Sequence, residues 1–233
     1  MKKSCKIIIL SGLILCSFLS AFAQERKVTE QELTTFTDNA YKKLKDKTYR
    51  VTMTSESYVS VKDSSPNQLV NAITEYISPD RLHSIYERKV GETMFREETI
   101  SIGQKEYVKQ NNEDWKEISA AGNGSGSGFR GSVINNEKNV VSKYKGNETI
   151  KNQKADLYEI VTTRKYSSPN FNSTTVITEK FWLNKDGLFL KRESDTKIDN
   201  NKNTSHIVWE YEYDLNIKIE DPIIKTKAKQ NPK

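Results

Sequence analysis

A mainly β (α+β) fold, with one helix laid against a long antiparallel sheet, is what this sequence predicts, and three observations carry the prediction. Short runs rich in Val, Ile, Thr, Tyr and Phe succeed one another from residue 48 to residue 214, with turn residues between them. Most of those turns are only two to five residues long, so consecutive strands must be antiparallel neighbours, because a parallel return needs about a dozen residues or more. One stretch near the N-terminus repeats its apolar residues at helical spacing.

The first element is an export signal. Lys2, Lys3 and Lys6 supply a basic start, residues 7–22 an apolar run too short to span a bilayer comfortably, and Ala21-Phe22-Ala23 a small-x-small cleavage site. Residues 1–23 therefore read as a cleavable secretory signal, and the mature chain as a soluble periplasmic or extracellular protein beginning at Gln24. An uncleaved anchor would want a longer run, and lipidation at Cys16 would want a small residue where Leu15 stands. Both cysteines, Cys5 and Cys16, fall inside the signal, so the mature chain has no disulfide and depends on its core. About 210 residues remain (233 − 23), enough for a single domain over 24–222. The net charge of +6 falls to +3 without the three signal lysines (6 − 3), and no basic run interleaved with aromatics precedes the tail, so nucleic acid is not an expected partner.

Residues 30–45 form the helix. Thr29 and Glu32 make a capping box, and Leu33, Phe36, Ala40, Tyr41 and Leu44 build a one-sided apolar stripe that needs a broad partner such as a sheet. Strands follow at 48–60, 68–78, 81–89, 93–102, 105–110 and 114–119, then at 144–150, 155–166, 174–184, 187–198 and 204–214. Ser78-Pro79-Asp80, Val90-Gly91-Glu92 and Asn184-Lys185-Asp186-Gly187 are among the turns. Two stretches interrupt the meander. Residues 120–131 are rich in glycine and read as a flexible loop, while Val133, Ile134, Val140, Val141 and Tyr144 leave room in 132–145 for a short helix. Together they predict a mid-chain helical insertion placed to act as a lid. Residues 223–233, lysine-rich and nearly without apolar side chains, read as a disordered basic tail.

Alternation within the strands points to one apolar face: Leu69, Ile73 and Ile77; Leu82, Tyr86 and Val90; Met94, Ile100 and Ile102; Ile207, Trp209, Tyr211 and Tyr213. A helix of about 16 residues reaches only about 24 Å, too little to cover so many strands, so part of that face is expected to remain a groove. A filled sandwich or closed-barrel core is the alternative that the pattern leaves open.

Chemistry is poorly supplied. His83 and His206 sit in strand patterns, no nucleophile elbow or phosphate loop is present, and two distant histidines without cysteine make a poor zinc site. Glu97-Glu98 and Glu210, Glu212 have the spacing of a solvated strand face, which also leaves a glycosidase pair a guess. The expectation is no catalytic residue, no metal and no cofactor.

The block from Glu75-Tyr76-Ile77-Ser78-Pro79-Asp80-Arg81-Leu82-His83 through Ile102-Gly103-Gln104-Lys105-Glu106-Tyr107 to Trp115 resembles the bacterial LolA and LppX-like envelope proteins. Asn152-Gln153-Lys154-Ala155-Asp156, the hairpin Phe181-Trp182-Leu183-Asn184-Lys185-Asp186-Gly187-Leu188-Phe189 and the close of the chain from Tyr211 to Pro222 continue the likeness. The resemblance implies a large curved antiparallel sheet forming a half-barrel, with an N-terminal helix and a short helical insertion over an apolar concave face that receives acyl chains. The glycine-rich stretch at 122–131 departs from that pattern, as does the extended early hairpin.

The functional expectation is an exported, monomeric, non-catalytic carrier or chaperone that binds a lipid or other amphiphile. Its groove would be lined by Phe36, Ile73, Leu82, Tyr86, Met94, Ile100, Trp182 and Trp209. The alternative is an envelope protein-interaction or sensory module whose groove is filled by its own side chains.

Overall fold

The structure, a computed structural model, describes residues 25–59, 65–118, 135–168, 171–199 and 203–222. The expected signal, the 120–131 loop and the basic tail lie outside these residues. Helix α1 (Glu30–Leu44) begins at the capping box: the Thr29 hydroxyl accepts from the Glu32 amide at 3.1 Å, and the Glu32 carboxylate accepts from the Thr29 amide at 2.8 Å. Glu30 and Glu32 in the first turn and Lys42 and Lys43 in the last complement the helix dipole. Leu33, Ala40 and Leu44 are buried, so the apolar stripe lies against the sheet as its spacing requires.

Twelve strands form one antiparallel sheet. They are β1 (Arg26–Lys27), β2 (Tyr49–Tyr58), β3 (Gln68–Ile77), β4 (Arg81–Val90), β5 (Thr93–Ile102), β6 (Lys105–Gln110), β7 (Lys116–Ile118), β8 (Asn135–Ile150), β9 (Gln153–Ser168), β10 (Phe171–Asn184), β11 (Phe189–Ile198) and β12 (Asn203–Tyr213). The spatial order is β1-β8-β9-β10-β11-β12-β2-β3-β4-β5-β6-β7, an open sheet of the kind a half-barrel has. Two meanders, β2 to β7 and β8 to β12, are joined along β2 and β12, where Tyr58 faces Thr204 and Tyr49 faces Tyr213. Consequently β7 and β8, consecutive in sequence, stand far apart across the sheet.

Over the described part of 132–145 the expected short helix is not found, and residues 132–134 lie outside the described residues. Residues 135–145 belong to β8, a strand paired with β9 along its length, so the expected strand start at 144 moves back to Asn135. Val140-Val141 carries two β-branched side chains that fit a pleated surface, and the ladder satisfies backbone groups that a short helix would leave open at its ends. The turn into β9 is a two-residue Lys151-Asn152 corner with φ of 47° and 65°, the primed geometry that suits the strand twist. At the β4-side turn, Gly103 adopts φ +60° and its amide donates to the Asp80 carbonyl at 3.1 Å, a conformation any Cβ would strain. Of the strand reading of 114–119 the described residues keep Lys116–Ile118, and the closing strand ends at Tyr213, beyond which residues 214–222 have no regular secondary structure.

Directly paired residues share a face, so the unbroken register from β11 to β6 assigns every side chain there to one side. The inner face carries α1. The main core forms between Leu33, Ala40 and Leu44 of α1 and Tyr158, Phe181, Leu183, Phe189 and Tyr211 of the sheet. Phe189, wholly buried, stands 5.1 Å from the Tyr41 ring and 5.6 Å from Tyr211. The outer face is charged over much of its area, with two small cores of its own. In one, Ile219 of the C-terminal segment packs on Ile100 and Tyr107, and Arg81 donates to the Ile219 carbonyl at 2.7 Å.

Candidate functional site

A charged residue drawn into the inner core is where the local sequence departs most from what packing alone would choose. Arg192 follows Phe189-Leu190-Lys191 on β11 and pairs with Phe181 on one side and Trp209 on the other, so its side chain points inward beneath α1. Its guanidinium carbon lies 5.0 Å from the Trp209 ring centre, 5.3 Å from Phe181 and 5.5 Å from both Tyr41 and Phe189. Cation–π contacts of this kind contribute about 0.5–2 kcal/mol each, more as water is excluded. The Arg192 side chain is only 18% exposed. One Nη donates to the Tyr41 hydroxyl, and the nearest carboxylate, Glu179, stands at 3.9 Å, beyond hydrogen-bond reach. Nε is buried and has no hydrogen-bond partner among the described residues. Leaving such a donor unpaired costs about 1–3 kcal/mol, so the ring of aromatics holds the cation without fully satisfying it.

From Arg192 one cross-strand row runs over the inner face: Arg192, Trp209, Met53, Ala72, Tyr86 and Glu97, each directly opposite the next. Trp209, Tyr49 and Val51 still pack on the α1 core, whereas Met53, Ala72 and Tyr86 belong to none of the buried clusters and are half-buried. Beside that row lie Ile207, Ser55 and Val70, the last only 5% exposed. A concavity of about 350 Å³ opens at the far strand ends, floored by Ser57, Gln68, Thr196, Ile198 and Ser205. At the near ends a larger one of about 430 Å³ is ringed by Lys47, Lys151, Asp186 and Glu212, a mixture of charges that does not suit an acyl chain.

Burial pushes the Tyr213 hydroxyl far above its ordinary value, and that hydroxyl donates to the Phe189 carbonyl at 2.6 Å. Burial likewise raises Tyr49 and Tyr158, and raises Tyr211 against the neighbouring Arg192 cation, which favours the phenolate. These phenols are neutral donors at ordinary pH.

The eight expected groove residues divide between the faces. Phe36 on α1, with its ring 5.4 Å from Tyr158, and Leu82, Tyr86 and Trp209 are brought to the inner side. Ile73, Met94, Ile100 and Trp182 are on the outer side. Ile73 pairs with Ile85, not with Tyr86, and is 40% exposed; Met94 is 56% exposed. Ile100 is covered by Ile219, and Trp182 is buried with its indole donating to Glu148 at 2.8 Å under the Lys191 ammonium. The four therefore do not form one apolar face with Trp209, because β3, β4 and β5 each carry apolar residues at both parities. Sequence reasoning missed Met53, Ala72 and Arg192. The single available signal was parity: once Phe181 and Trp209 face inward, their partner Arg192 must do so too.

The groups with chemical potential elsewhere are tied into the outer face. His83 bridges Glu75 at 3.2 Å and Glu98 at 2.9 Å, and His206 meets Asp195 at 2.7 Å. Glu97 and Glu98 point to opposite faces and so cannot flank one bond as a glycosidase pair. Among the described residues no cluster of His, Cys, Asp and Glu is placed to hold a metal ion, and no helix is long and apolar enough to cross a membrane.

No family model matches the chain, and no curated protein matches its sequence. Several solved structures are similar in layout, two of which follow. One is a DUF1329 family protein from Desulfovibrio piger, at 9% identity over 79% of this chain and 92% of that one, with a TM-score of 0.32. The other is a Vibrio parahaemolyticus domain described as an outer membrane lipoprotein-sorting protein, at 11% identity over 78% and 93% of the two chains, with a TM-score of 0.29. At those scores neither likeness carries an argument about what this chain does.

Proposed function

We propose that this chain is an exported envelope protein of the LolA and LppX-like kind. Its single domain, residues 24–222, binds an amphiphile on the inner face of the sheet without covalent chemistry. The observation that carries the reading is the mismatch between helix and sheet. The contacts of α1 fall on β8 to β12 and the first residues of β2, and the apolar row continues past them through Met53, Ala72 and Tyr86. Half-buried apolar side chains on a concave sheet bind acyl carbon at about 0.8 kcal/mol per CH₂ removed from water, so a chain of a dozen carbons is held without any catalytic group. The residues assigned to the groove are Phe36, Leu82, Tyr86 and Trp209, joined by Met53 and Ala72.

Uptake of a fluorescent long-chain fatty acid tests this. Trp209→Asp places a charge in the row and should abolish uptake, while Met94→Asp on the outer face should leave it unchanged, with β-type circular dichroism preserved in both. Equal loss in both variants, or in neither, contradicts the assignment.

A further inference from the structure

We propose that Arg192 is the head-group receptor of this groove, taking the carboxylate of a long-chain fatty acid whose tail lies along Trp209, Met53, Ala72 and Tyr86; the proposal rests on the amphiphile reading above. Arg192 is the one cation inside the ring of Tyr41, Phe181, Phe189 and Trp209, and three of these rings offer no hydrogen-bond acceptor at all. Its present partners are the neutral phenols of Tyr41, on one Nη, and Tyr211, and a carboxylate at 3.9 Å, and Nε is unpaired. A guanidinium presents its donors as a planar fork that a carboxylate matches with two parallel bonds. A neutral head leaves that fork as it is.

The row gives the ligand a direction. From β11 to β4 it crosses four strand spacings, about 19 Å at about 4.8 Å each, with no charged side chain between Arg192 and Tyr86. The next residue is Glu97, whose carboxylate accepts from Gln110 at 3.0 Å. The two ends differ: Arg192 is ringed by aromatics under α1, whereas at the other end Glu97 stands beside Arg88 of the neighbouring row, which lies over the Phe95 ring at 5.7 Å on the same face. Tyr41, 42% exposed on α1, closes Arg192 from the helix side, and an entering carboxylate replaces its hydroxyl on Nη and pairs Nε.

The test compares a long-chain fatty acid with its methyl ester, titrated at neutral pH into the purified full chain and into Arg192→Gln and Tyr41→Phe. The acid should bind the native protein about tenfold or more tightly than the ester, as a charge-assisted pair requires. Arg192→Gln should lose that preference by weakening the acid alone, and unchanged ester binding then shows that the groove is intact. Tyr41→Phe, which removes the competing hydroxyl without removing the ring, should strengthen the acid and leave the ester alone; it carries the test if Arg192→Gln does not fold. A native protein that binds acid and ester equally, or an Arg192→Gln variant that keeps the preference, overturns the head-group assignment while the amphiphile reading stands. A lysophospholipid phosphate preferred to the carboxylate overturns the choice of head. Failure of both acid and ester to bind overturns the groove reading as well.

Discussion

Removing the Phe189 ring tests whether helix and sheet form one core. Phe189 is wholly buried, stands 5.1 Å from Tyr41 of α1, 6.2 Å from Phe181 and 5.6 Å from Tyr211, and has the Arg192 guanidinium at 5.5 Å. Phe189→Ala deletes a buried ring and leaves a cavity that α1 cannot close without losing its own contacts, so about 3–5 kcal/mol should be lost. Urea unfolding of native and variant protein, followed by circular dichroism, measures the difference, with the slope unchanged if only stability moves. A double-mutant cycle then isolates the contact across the interface: Tyr41→Leu with Phe189→Leu should show a coupling of about 0.5–1.5 kcal/mol. A Phe189→Ala loss under about 1 kcal/mol, or no coupling, would refute the packing of α1 against β11.

Thr29→Ala removes the cap of α1 and should lower stability by about 1 kcal/mol in the same urea assay, with amide exchange rising first in residues 30–34. Alkaline titration follows the buried phenols: folded values for Tyr49, Tyr211 and Tyr213 lie above the ordinary 10.0, so the stability they contribute is whole below pH 10 and is lost as pH rises beyond it. The share of phenolate absorbance that belongs to these three residues should appear in one cooperative step together with loss of structure, whereas their gradual ionisation in a still-folded protein would contradict their burial. At the acid end, burial disfavours the Glu75 carboxylate, but its bonds to Arg50 and His83 outweigh that and hold it below its ordinary value. Its contribution is present above the ordinary carboxylate value and lost as pH falls through the lowered one, so Glu75→Gln should flatten the acid limb of the stability curve.

Local signals made most elements legible. The helix was announced by Thr29, Glu32 and a single apolar stripe, and the hairpins by Ser78-Pro79-Asp80 and Asn184 to Gly187, because caps and turns are chosen by chemistry a few residues wide. What failed was everything that depends on distant pairing. Val140, Val141 and Tyr144 match a helical spacing as well as a strand, and β9 decided between them. Nothing local marks β2 as the partner of β12, about 150 residues away in sequence, yet that pairing sets the strand order of the whole sheet. Face parity failed for the same reason. Ile73 and Tyr86 both looked core-directed, but the register opposes Ile73 to Ile85, and a difference of one residue sends a side chain to the other face. Arg192 was hidden for a further reason: only the three-dimensional position of Tyr41 and Trp209 shows that it is enclosed.

The inner face as the binding surface is most directly tested by quenching of single tryptophans with a brominated fatty acid. The chain has three, Trp115, Trp182 and Trp209; variants keeping one each, the others replaced by Phe, report separately. Quenching of Trp209 with Trp182 untouched, saturating with ligand, is the predicted result. Quenching of Trp182 alone, or of none, would contradict an acyl chain on the inner face.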